Sequence, residues 1–253
     1  MPKKSILSKI YVFTILIVSF SLCVMSASLM SSYITIGSFS YATNSIKQGS
    51  FDLYAISLAS NPSFSQSNEI GKSFKSLNAA GYAWKKDDLY YVLASGYLSE
   101  ADATKVSQSL TSGGTNNTVI KLEFDEISIN GNFNSQEKTA IVNTLSCFKN
   151  VYTDFYDISV SLDTNISNEI DTKIAIGNTK SNLIKIKNSF DTIFKEKVTN
   201  SLVILKINLE KLLEKIDELL ECETNLSSEI KYHYFESLNL YKEVIEQTNN
   251  KSN

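Results

Sequence analysis

The chain has 253 residues, 24 basic and 27 acidic side chains, and a net charge of −3. It contains no arginine. The planar, bidentate reader of phosphate and guanine is therefore missing, and the charge balance offers no basic surface for nucleic acid. Its three cysteines, Cys23, Cys147 and Cys222, are far apart in the sequence, which excludes a disulfide framework or a cysteine-based metal cluster. A pairing of Cys147 with Cys222 stays open beside two free thiols.

Lys3, Lys4 and Lys9 open the chain, and the next charge is Lys47. A membrane-spanning helix takes about 20 mainly apolar residues, and Ile10 to Met30 supplies them. Positive charge on the N-terminal flank keeps that end in the cytoplasm. The expectation is a cytoplasmic tail (1–9), an uncleaved signal-anchor helix (10–30) and a Ser-rich linker (31–50). The rest of the chain would then lie outside a single-pass cell membrane. The competing reading is a cleaved signal peptide with Ser26-Ala27-Ser28 as its small-residue site. Leu22 before Cys23 is too large for a lipoprotein cleavage site.

Residues 51–127 repeat one unit, a short β-rich run followed by a Ser-led turn and a helix. In the first run Tyr54, Ile56 and Leu58 alternate with Ala55, Ser57 and Ala59, the period of a sheet with one buried face. A helix follows, to about Ala80, with Ile70, Phe74 and Leu77 on one face and Gly81 after its end. Tyr82-Ala83-Trp84 makes a further strand and Lys85-Lys86-Asp87-Asp88 a charged turn. The second run, Tyr90 to Tyr97, points Tyr90, Val92 and Ala94 inward. Its helix starts at the N-cap Ser99, buries Ala103, Val106 and Leu110, and stops at Gly113-Gly114. Alternation over Thr118 to Ile127 gives the fourth strand.

This pattern resembles the SPOR (sporulation-related repeat) domain of bacterial cell-envelope proteins over about 51–126. The residues that carry the likeness are Tyr54 to Ser60, Gly81, and Tyr90 to Tyr97 leading into Ser99-Glu100-Ala101-Asp102-Ala103. The resemblance implies a βαββαβ fold, an antiparallel sheet with two helices on one face. It also implies binding to peptidoglycan, especially glycan strands stripped of stem peptides, in division or sporulation. Families of this type often carry Gln where Ser57 stands and Gly where Ala59 and Ser95 stand.

From 135 to 248 the pattern turns helical. Ile141, Leu145, Phe148, Tyr152 and Phe155 form one stripe, and Gly177-Asn178 is an expected break in the next segment. Leu202, Leu205, Leu209, Leu212, Ile216 and Leu219 follow. Ile230, Tyr234, Leu238, Tyr241 and Ile245 close the series. Such stripes mean helix-on-helix burial, in a bundle or in an oligomeric coiled coil.

Chemistry is sparse. His233 is the single histidine, so neither a zinc hydrolase site nor more than one nucleophile–histidine arrangement can be built from the chain. Asp87-Asp88 and Asp125-Glu126 match a glycosidase pair by type alone. Ser57, Trp84, Tyr91 and Leu93 fall on the sheet face left free by the two helices. Aromatic rings there would stack on the apolar faces of sugars while hydroxyls serve as donors and acceptors. The reading is a fold of the α+β class with an anchor, a SPOR-like domain (51–127) and a C-terminal all-α domain (135–248). Its function is glycan-strand binding without catalysis, cofactor or metal. The alternative is an oligomeric helical envelope scaffold, with a second copy or an envelope protein as partner, whose SPOR-like domain no longer binds glycan.

Overall fold

The computed structural model describes residues 39–42, 45–197 and 199–249. The described strands are β1 (Phe39–Ala42), β2 (Ser45–Gln48), β3 (Phe51–Asn61), β4 (Tyr82–Lys86), β5 (Leu89–Tyr97), β6 (Thr118–Phe124) and β7 (Ile127–Asn130). The described helices are α1 (Phe64–Lys75), α2 (Glu100–Ser112), α3 (Ser135–Asp163), α4 (Glu169–Ile193), α5 (Asn200–Glu221) and α6 (Leu226–Asn249).

The main sheet is antiparallel with strand order β4-β5-β3-β6. Along β3, Phe51, Leu53 and Ala55 are buried on one face, with Phe124 and Leu122 opposite the first two. Two register shifts, at Ile56/Ser57 and Ser57/Ala59, then bury adjacent residues on opposite sides. Such bulges sharpen the local twist and re-aim side chains. The β4–β5 turn places Asp87 at φ 53°, a left-handed conformation that a short polar side chain tolerates.

Helices α1 and α2 cover one face. Ser63 caps α1 by accepting from the Gln66 N–H, and Ser99 caps α2 by accepting from the Asp102 N–H. Beneath them Ile56, Ala79 and Ala94 are buried, with Leu58, Phe74, Val106 and Leu110 packed around. The other face is closed by α6. The Tyr241 ring lies 5.7 Å from that of Phe51 and 6.0 Å from Phe124, and the Phe235 ring lies 5.9 Å from Tyr82. Helix α3 backs α6, Tyr152 against Tyr234 at 5.2 Å and Phe148 against Tyr241 at 6.2 Å. Helices α4 and α5 complete a four-helix bundle on this layer. Ion pairs Lys180–Asp217, Lys187–Glu210 and Lys206–Asp191 descend along α5 as they ascend along α4, so the two run antiparallel. Exposed pairs of this kind each contribute less than about 1 kcal/mol. They report register more than they supply stability.

Several expectations need correction. Among the described residues no helix is long and apolar enough to cross a membrane. The anchor expected over 10–30 lies outside the described residues, and the single-pass, extracytoplasmic placement built on it is withdrawn. The stretch expected as a linker contains β1 and β2, which join β7 in a second antiparallel sheet. The fourth strand ends at Phe124, and Ile127 begins β7. Helix α1 stops at Lys75, and Leu77 is 72% exposed rather than part of its inner stripe. Helix α4 runs unbroken through Gly177-Asn178. One glycine costs a helix about 1 kcal/mol, less than the burial of Ile176, Leu183 and Phe190 on the same helix returns. The stripes named above on α3, α5 and α6 are buried within the chain. Ile170 and Ile174 on the first turns of α4 remain 73% and 58% exposed. Cys147 and Cys222 are free thiols, and burial pushes the Cys147 thiol well up.

Lys149 of α3 is buried, its Nζ 5.0 Å from the centroid of the Phe51 ring. Burial lowers its ammonium to about 8. The group is therefore charged below pH 8 in both the folded and the unfolded chain, and the folded chain bears the desolvation. Stability rises as pH climbs from 8 toward the unfolded lysine value of about 10.4. Lys149→Met is expected to remove this rise between about pH 8 and pH 10.4 while leaving the rest of the pH profile in place. Urea titrations at pH 7 and pH 10 check this.

Candidate ligand cavity at the bulged edge of the sheet

The four residues expected to face a glycan sit under α6 or beside it. Ser57 is 2% exposed, Trp84 4% and Leu93 0%, while Tyr91 is half-buried. Cross-strand pairing sets them on one face, Ser57 opposite Leu93 and Trp84 opposite Tyr91. That is the face the aromatic rings of α6 occupy. The Ser57 hydroxyl donates to the Ala59 carbonyl at 2.8 Å. The Trp84 ring lies 6.1 Å from Phe124, with Lys242 Nζ 5.6 Å above it. The open face expected from two helices on one side is absent, because α6 buries side chains around more than half of its circumference. One part of its surface serves the sheet and another serves the bundle.

A cavity does open at the other end of β5. Strand β4 pairs with β5 only as far as Leu93. Past that point the outer edge of β5 meets no further strand: the Ala94 carbonyl accepts from the Ala80 N–H, and the Gly96 N–H donates to the Tyr234 hydroxyl at 2.9 Å. Around this edge α1, α2, α3 and α6 leave a space of about 420 Å³. Leu58, Phe74, Val106, Leu110 and Val160 give it apolar walls.

Its polar groups include two clusters, one around Ser95, Tyr97 and Tyr156 and one at Lys231 and Asp163. The Ser95 hydroxyl and Tyr97 phenol are hydrogen-bonded at 2.9 Å, and the Tyr156 ring meets the Tyr97 ring edge-on at 6.1 Å. Burial raises both phenols above their ordinary range, so each remains a neutral donor at physiological pH. Lys231 Nζ lies 2.5 Å from Asp163 Oδ2 and donates to the Asn78 carbonyl at 2.8 Å, while Ser227 donates to Asp163 Oδ1. This ion pair is charge-neutral and already hydrogen-bonded. Among the described residues Asp163 is the one carboxylate that lines the space, and neither histidine nor cysteine is found there. The arrangement supplies shape, an apolar wall and neutral hydrogen bonds. It lacks a paired general acid and base.

No family model, curated protein or solved structure matches this chain. The resemblance to SPOR domains therefore rests on its residue pattern alone.

Sequence reasoning named several cavity-lining residues, Leu58, Phe74, Tyr97, Val106 and Leu110 among them, as strand and helix positions and not as a site. It missed Asp163 and Lys231, which are 68 positions apart. A usable signal was present: Lys231 stands three positions before Tyr234 and seven before Leu238, in line with the apolar stripe of its helix, where a charge persists only with a partner.

Proposed function

We propose that this chain is a non-catalytic binding protein that takes a small amphipathic molecule, an apolar body with a neutral polar head, into the cavity beside β5. The observation that carries the reading is the gathering of Ser95, Tyr97 and Tyr156 at an apolar space of about 420 Å³, within the size range of small-molecule sites. The polar end carries no net charge because Asp163 balances Lys231. A hydroxyl or amide head therefore gains hydrogen bonds there without an unpaired buried charge, whereas a carboxylate head meets no free cation. The burial of Ser57, Trp84 and Leu93 counts against a glycan strand docking on the opposite face.

Isothermal titration calorimetry of the purified chain with 1-decanol and with decanoate tests the proposal. The expected result is saturable one-to-one binding of decanol, weaker binding of decanoate, and loss of both in Val106→Trp, which fills the cavity from α2. A folded chain that binds neither compound, or binding that survives Val106→Trp unchanged, overturns it.

A further inference from the structure

Glu218 of α5 and His233 and Glu236 of α6 each bring one ligand atom to within 4.8 Å of the others. His233 and Glu236 are one turn apart on the same face of α6, and the neighbouring helix supplies Glu218. His233 is 7% exposed. Its Nδ1 lies 2.7 Å from Glu236 Oε2, yet neither atom completes a hydrogen bond. An imidazole nitrogen and a carboxylate oxygen held this close in a nearly dry position are joined either by a proton or by a metal cation that both share. The nearby ammonium of Lys215 serves the other carboxylate instead: its Nζ is 2.8 Å from Glu218 Oε2 and 3.9 Å from Glu236 Oε1.

We propose that Glu218, His233 and Glu236 form a binding site for a divalent transition metal of the zinc or cobalt class. One imidazole nitrogen and two carboxylates suit these ions, whereas calcium and magnesium favour all-oxygen shells. Lys215 competes for the site, because its side chain is one-third exposed and can swing into solvent when a dication takes its place beside Glu218. The metal would bridge α5 to α6 directly. It would raise the melting temperature with the logarithm of free metal concentration once that exceeds the dissociation constant.

The test uses the full chain freed of metal by a chelator, titrated with Co²⁺ and followed by visible absorption, with Zn²⁺ affinity measured by calorimetry. The expected result is a one-to-one Co²⁺ spectrum and a Zn²⁺-dependent rise in melting temperature. Glu218→Gln, on a side chain that is half exposed, is expected to weaken Zn²⁺ by about tenfold or more. Lys215→Met removes the competitor and is expected to tighten Zn²⁺. A folded chain that gives no saturable Co²⁺ spectrum shows that a proton, not a metal, joins His233 to Glu236, and overturns the proposal. Zn²⁺ affinity unchanged in Glu218→Gln overturns it equally.

Discussion

Gly71→Ala is expected to cost more than about 3 kcal/mol of folding stability, a large share of the 5–15 kcal/mol of a typical domain. Gly71 of α1 faces Gly81, just before β4. A Cβ at Gly71 would lie 2.1 Å from the Gly81 carbonyl oxygen and 2.9 Å from its carbon. A Cβ at Gly81 would lie 2.3 Å from the Gly71 carbonyl oxygen, at φ +65°. Both obstacles are backbone, so no side chain can swing aside. Relief requires α1 to lift from the sheet, opening the contact of Ser67, which donates to the Tyr90 carbonyl at 3.3 Å. Urea denaturation followed by circular dichroism measures the loss. An unfolding free energy within about 1 kcal/mol of wild type would mean that α1 does not rest on β4 as described.

Two substitutions at Tyr241 are expected to differ in sign. Its ring is fully buried where α6 meets Phe51, Phe124 and Phe148. Tyr241→Ala removes the side chain that joins the sheet to the bundle, and is expected to cost about 3–5 kcal/mol. The Tyr241 hydroxyl is buried and finds no hydrogen-bond partner among the described residues. Tyr241→Phe removes that unsatisfied group and is expected to be neutral or stabilising by about 1 kcal/mol. Thermal unfolding of the two variants side by side separates ring packing from hydroxyl desolvation. A Tyr241→Phe variant as damaged as Tyr241→Ala would reveal a hydrogen bond that the hydroxyl does make.

The local part of this fold was legible because it is written locally. The strand alternation from Tyr54 to Ala59, the serine cap at Ser99, and the four-three spacing of Leu202 to Leu219 each reflect the geometry of a single element. The partner of each stripe was not legible. Ile230, Tyr234, Leu238 and Tyr241 read as a bundle seam, yet the same helix buries Phe235 and Tyr241 against the sheet. Periodicity states that a face is apolar and is silent about what covers it. The expected glycan surface failed at that point: Ser57, Trp84 and Leu93 share a face as the alternation implied, but the last described helix occupies it. The hairpin of β1 and β2 was masked by its serine and threonine content, since its pairing with β7 depends on a strand more than 75 residues away. The cavity was hidden for a related reason. It arises where β4 stops short of β5, a mismatch of strand lengths that neither strand shows by itself.

The placement of α6 also bears on how the polypeptide is made. Translation delivers β3 to β6 long before residues 226–249. Until that final stretch clears the ribosome, Tyr82, Trp84 and Phe124 form a sticky wet surface on a nascent chain, a ready target for holdase chaperones and for self-association.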